Sequence, residues 1–109
     1  MRGLTLCSLV ALAAVLGARR EQTPATGRDL YRLRCAACHG ADGRGDGPVA
    51  ASLSPRPTNF VDSTQRSART DSAVAEVIMR GRRTMPAFGG MLTRVHVDSV
   101  VAYLRTLQP

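Results

Sequence analysis

Five residues constrain this chain more than any others: Cys35-Ala36-Ala37-Cys38-His39. Two thiols one helical turn apart, followed at once by an imidazole, make a donor set with few structural uses. A disulfide between residues so close would close a very small loop, and the stabilisation from a crosslink shrinks with loop length. A redox dithiol belongs in a strand–helix context, and no period-two strand pattern occurs in the chain. A structural zinc site needs a fourth ligand, usually from a second paired motif. Outside the motif there are only Cys7, inside an apolar N-terminal run, and His96. The spacing that remains is C-x-x-C-H, the haem-attachment motif. Each thiol can add across one vinyl group, and the next residue turns its imidazole toward the iron from the same side.

The composition supports this reading. A chain of 109 residues has room for one domain, and 44% apolar with 21% charged side chains lies in the globular range. Aromatic residues make up only 4%, with no Trp. They usually supply much of a small core, so a covalently held haem would replace the missing apolar mass. All the basic residues are arginine, 15 against 8 acids, for a formal charge of +7. A basic surface suits nucleic acid, a membrane face or an acidic protein. The arginines are scattered, with no basic run or reading helix, which argues against nucleic acid.

Residues 1–17 read as a signal peptide or an N-terminal anchor. Arg2 precedes an uncharged stretch from Gly3 to Ala18, with Val15 and Gly17 small enough for cleavage after Gly17. The length is high for an apolar signal core and short for a comfortable membrane span. Arg19 and Arg20 follow immediately, so an uncleaved anchor stays open beside a cleaved signal. Cleavage would remove Arg2 and Cys7 and leave cysteines only in the motif. Export would place the chain in the periplasm or elsewhere outside the cytoplasmic membrane, soluble or tethered by its N-terminus.

Residues 18–26 form a polar linker, and 27–109 form the domain. A first helix is predicted from about Gly27 to His39, because Tyr31, Cys35 and Cys38 share one helical face. Residues 40 to about 69 read as loop, dense in Gly and Pro, with a helical turn predicted only at Val49 to Leu53. So long a loop is unusual unless it wraps something. Thr70 or Ser72 can cap a second helix with Val74, Val77 and Ile78 as its stripe and Gly81 as its stop. After a loop over 82–92, a last helix from Thr93 carries Val97, Val100, Val101, Leu104 and Leu107 on one face. The fold class is all-α, with three main helices and long loops.

From about Gly27 to Leu107 the chain resembles the small single-haem c-type cytochromes of the class I fold. Gly27 and Tyr31 stand eight and four residues before Cys35, where that family places small and aromatic residues of its first helix. Val100 and Tyr103 match its crossing C-terminal helix. The run after His39, with Gly43, Gly45 and Gly47-Pro48, is similar to its post-haem loop. Thr84-Met85-Pro86-Ala87-Phe88 is similar to its distal-ligand loop.

The resemblance implies one haem c bound through thioethers to Cys35 and Cys38, with His39 and Met85 as axial ligands. Among the other candidate ligands, Met79 ends a helical stripe and reads as core or helix surface. Nothing but its loop position favours Met91, and His96 reads as a solvated side chain in the first turn of the last helix. His/Met ligation raises the reduction potential relative to harder donors. The family also implies that the backbone carbonyl of Pro48 accepts the second imidazole N–H of His39. Arg80, Arg82 and Arg83 stand near the Met85 loop, either as a solvated cluster, as a docking rim for an acidic redox partner, or as contacts to the haem propionates; Arg56 is another propionate candidate. The implied function is a one-electron carrier between redox partners, with no bond chemistry of its own. Two rivals stay open: a haem subunit of a larger membrane oxidoreductase, and a gas sensor or peroxidase-like enzyme with a labile sixth position.

Overall fold

Thr26 begins the described structure in earnest. Its hydroxyl oxygen accepts from the Asp29 N–H at 3.2 Å, while the Asp29 carboxylate accepts from the Thr26 N–H at 3.1 Å, a closed capping box. Helix α1 (Gly27–Arg34) follows. This computed structural model describes residues 25–109. The expected leader or anchor over 1–17 and nearly all of the 18–26 linker lie outside the described residues.

The predicted first helix bends at Cys35 (φ −116°) and resumes as α2 (Ala36–His39). The ladder survives the bend: Cys35 N–H donates to Tyr31 O at 2.8 Å and His39 N–H to Cys35 O at 2.9 Å. The long loop contains the expected turn, a 3-10 turn at Ala50–Ser52. It also contains a short helix, α3 (Ser63–Ser67), capped by the Asp62 carboxylate on Gln65 N–H. Residues 63–67 are all polar, so no apolar period marked that helix beforehand.

Thr70 caps α4 (Asp71–Arg80), and Gly81 ends it with φ 74°. Thr93 caps α5 (Arg94–Thr106) through a capping box whose second member is His96. The Thr93 N–H donates to His96 Nδ1 at 3.3 Å. The expectation of a merely solvated His96 is therefore corrected: it is half-buried and works as a cap. Leu107, expected on the α5 stripe, lies just beyond the helix but still packs on the core.

The core sits where α1 and α4 pack on α5. Tyr31, Val97 and Val100 are fully buried at its centre, with Leu30, Ile78, Phe88, Leu92 and Leu104 around them. Gly27 is there because a Cβ would collide with the Ser99 carbonyl of α5, so only glycine lets the two backbones approach. One turn on, Tyr31 meets Tyr103 with ring centroids 5.3 Å apart and donates its hydroxyl to Gly40 O at 2.6 Å. Burial pushes the Tyr31 phenol well above its ordinary pKa, so it stays a donor. Among the described residues, no helix is long and apolar enough to cross a membrane.

Candidate functional site

A cavity of about 360 Å³ opens between the motif helix, the long loop and the segment after α4. Cys35, Cys38, His39 and Met85, separated by up to fifty residues of chain, all line it. Phe60, Ile78, Phe88 and Leu104 give it apolar walls. The volume falls within the range of cofactor sites.

The two thiols are free rather than joined. Burial, with a smaller push from Cys38, raises the Cys35 thiol to about 11. A thiol held protonated is a poor nucleophile and a poor dithiol catalyst. The low thiolate fraction argues against dithiol redox chemistry at Cys35, and conversion to a thioether would remove the titrating proton altogether.

His39 is held on two sides. Its Nδ1 stands 3.2 Å from Thr58 O, which leaves Nε2 as the nitrogen available to a metal. Its ring lies against Phe60, with centroids 4.8 Å apart. Burial lowers the pKa of His39, favouring the neutral imidazole that iron requires. The acceptor is Thr58 and not Pro48 as the family pattern implied. The reason is local: Gly47 N–H donates to Cys38 O at 3.1 Å and Val49 N–H to Ala37 O at 3.1 Å. The stretch around Pro48 is thus engaged in satisfying the carbonyls at the end of α2, and the imidazole meets the later part of the loop.

Met85 closes a tight turn. Arg82 and Met85 exchange both backbone hydrogen bonds, at 3.0 and 2.9 Å, across Arg83 and Thr84. Arg83 sits at φ 53°, a region where glycine is usual. The chain beyond is tied back to α4 by Phe88 N–H to Ile78 O at 2.9 Å and Gly89 N–H to Met79 O at 3.0 Å. Met79 is half-buried against the core and Met91 is 57% exposed; neither lines the cavity, and nor does His96.

The arginines near the mouth divide differently from the expected grouping. Arg82, Arg83 and Arg56 line the cavity, joined by Arg34 and Arg69, which the sequence did not single out. Arg80 does not: it pairs with Glu76 at 3.1 Å on the exposed face of α4. No acidic residue lines the cavity. The donor set, the apolar walls and the free thiols fit a haem, whose carboxylates the arginines lining the cavity would suit.

The family described as cytochrome c oxidase, cbb3-type, subunit III matches residues 22–104. Dihydro-heme d1 dehydrogenase of Pseudomonas aeruginosa is 38% identical over 92% of this chain, which spans only 19% of that protein. Cytochrome c6 of a Synechococcus species is 28% identical, with 92% of this chain and 89% of the relative aligned. Among solved structures, the KustC0563 c-type cytochrome superposes with a TM-score of 0.69 at 28% identity, covering 77% of this chain and 99% of its own. The chain belongs to the family matched over 22–104: it is a small class I c-type cytochrome with covalently bound haem c.

Proposed function

We propose that this protein carries one electron at a time between redox partners outside the cytoplasmic membrane, with Cys35 and Cys38 as the haem attachment points and His39 and Met85 as the axial pair. The observation that carries this reading is the convergence of all four side chains on one cavity. The haem supplies the Fe(II)/Fe(III) couple; the chain supplies ligands, burial and a docking surface. Neutral His39, oriented through Nδ1, offers its other nitrogen. Met85 offers a soft thioether from a turn with little freedom to move. In this reading residues 27–109 are the cytochrome domain, and residues 1–17 direct or tether it.

The electron is exchanged at the basic mouth. Arg82, Arg83 and Arg56 are exposed and have no carboxylate within ion-pair distance among the described residues. They favour a partner with an acidic face, and transfer should slow as salt screens the attraction. A second reading, a haem subunit within a larger oxidoreductase, is favoured by the description of the matching family and by the small share of the Pseudomonas protein that this chain spans.

The test is the optical spectrum of the oxidised and reduced protein, carried into the near infrared. A reduced c-type spectrum with a sulfur-to-iron charge-transfer band is expected. Met85→Ala should abolish that band and lower the potential by on the order of tenths of a volt, within the ~0.8 V that axial ligands command. A band that survives Met85→Ala would remove Met85 from the iron. Carbon monoxide binding to the reduced unsubstituted protein would transfer the case to a sensor or peroxidase-like role.

A further inference from the structure

Arg105, on α5, lies outside the main cavity, yet all three of its guanidinium nitrogens are engaged. Nε donates to Asp71 Oδ1 at 2.6 Å, and the two terminal nitrogens donate to Arg66 O at 2.7 Å and Arg69 O at 2.8 Å. Arg66 returns the contact, donating to Leu107 O at 2.6 Å. Two guanidinium groups thus cross-tie α3 to the end of α5, about forty residues apart in the chain.

The tie leads to the iron side of the site. Next to Arg66 on α3 is Gln65, whose Oε1 accepts from the Asn59 N–H at 3.1 Å. Asn59 lies between Thr58, whose carbonyl faces His39 Nδ1, and Phe60, whose ring lies on the imidazole. Hydrogen bonds alternating with single peptide links therefore connect α5 through α3 to the residues that hold His39. A second cavity of about 20 Å³ follows this path. It shares Thr58, Phe60, Gln65, Arg69, Val74 and Leu104 with the main cavity and extends to Arg66 and Arg105, which the main cavity does not reach. Space of this size holds about one water molecule.

We propose that Arg105 is a positioning residue for His39. By pinning α3 against α5 it keeps the Thr58 carbonyl on the imidazole N–H. An imidazole that donates to a fixed carbonyl is a more basic ligand, which favours the oxidised, more charged state of the iron. The Asp71 pair is subsidiary, because its carboxylate is exposed and lies away from the carbonyl contacts. This proposal rests on the reading of His39 as an iron ligand.

The test uses the haem-loaded full chain and two equilibrium measurements: solvent exchange of the His39 Nδ1 proton, followed by NMR in the reduced protein, and the oxidised-to-reduced ratio at a fixed ambient potential. Arg105→Met is expected to speed exchange at least tenfold and to shift the ratio about threefold toward reduced. Arg105→Lys should do the same, because an ammonium cannot bridge three acceptors as the guanidinium fork does. Asp71→Asn, which spares both carbonyl contacts, should match the unsubstituted protein. Gln65→Met cuts the next link while leaving the clamp intact, and should reproduce the Arg105→Met shifts if that variant fails to fold. The proposal is overturned if Arg105→Lys behaves as the unsubstituted protein, if Asp71→Asn reproduces Arg105→Met, or if Arg105→Met lowers the melting temperature with both readouts unmoved. Absence of haem from the unsubstituted chain would instead overturn the reading of the site, before any variant is compared.

Discussion

Met85 and His39 line the same cavity, but they are held there by contacts of very different reach. Met85 depends on bonds between near neighbours: Arg82 with Met85, Ile78 with Phe88, Met79 with Gly89. His39 depends on Thr58, nineteen residues away, which is flanked by Asn59 and Phe60. These are fixed in turn by Gln65 and by Gly43 O, which accepts from the Phe60 N–H at 2.7 Å. A local turn forms at low loop-closure cost and can be disturbed without involving the rest of the chain. The imidazole wall is coupled to α3 and, through Arg66 and Arg105, to α5. One of the two proposed axial ligands is therefore set by a local device and the other by the whole fold.

The comparison can be broken first on the Met85 side. Gly81 has φ 74°, and a Cβ there would lie 2.8 Å from both Met85 O and Ala87 N. Gly81→Ala should cost about 1–3 kcal/mol in strain and crowding. It should weaken or abolish the sulfur–iron band while leaving the exchange of the His39 proton unchanged. If both ligands respond equally, the two sides are not separately built.

On the other side, Tyr31→Phe removes the hydroxyl that donates to Gly40 O, next to His39. Gly40 O then keeps only the longer bond from the Gly43 N–H at 3.2 Å, so the loss should cost about 1 kcal/mol, read as a fall in denaturation midpoint with the sulfur–iron band intact. Loss of the band would show that the local turn depends on α1 after all.

The smallest effect belongs to α1 itself. Hydrogen bonds from Thr26 hold the Asp29 carboxyl below its ordinary value. A carboxyl with a lowered folded-state pKa contributes stability that is present above its unfolded value, near ~4, and is lost as pH falls through the folded value. Melting temperature should therefore show a slight acid-side decline that Asp29→Asn removes, with neither ligand affected. An unchanged pH profile in Asp29→Asn would mean that the capping box adds nothing measurable.

Much of this molecule was legible in the chain because its signals are short-range. Thr70, Gly81 and Thr93 mark helix ends through bonds spanning three or four residues. The Val97, Val100, Val101 and Leu104 stripe states which face of α5 is buried. Gly27 and Tyr31 announced a close helix crossing. What escaped notice had no periodic trace. Residues 63–67 are polar throughout, so the sequence alone predicts loop where α3 forms. Arg34, Arg66, Arg69 and Arg105 are indistinguishable in sequence from surface arginines. Arg80 looked equivalent to Arg82 until its pairing with Glu76 separated them.

The sequence by itself determined the C-x-x-C-H donor set and the three main helices, because each depends on residue type at fixed short spacing; around Met85 it specifies only a loop. Only the tertiary structure decided which carbonyl meets His39, which arginines face the cavity and which two bind α3 to α5. Those outcomes depend on where a thirty-residue loop with little regular structure comes to rest against two helices. Such a path is set by the sum of many weak long-range contacts, and no short stretch of residues encodes it.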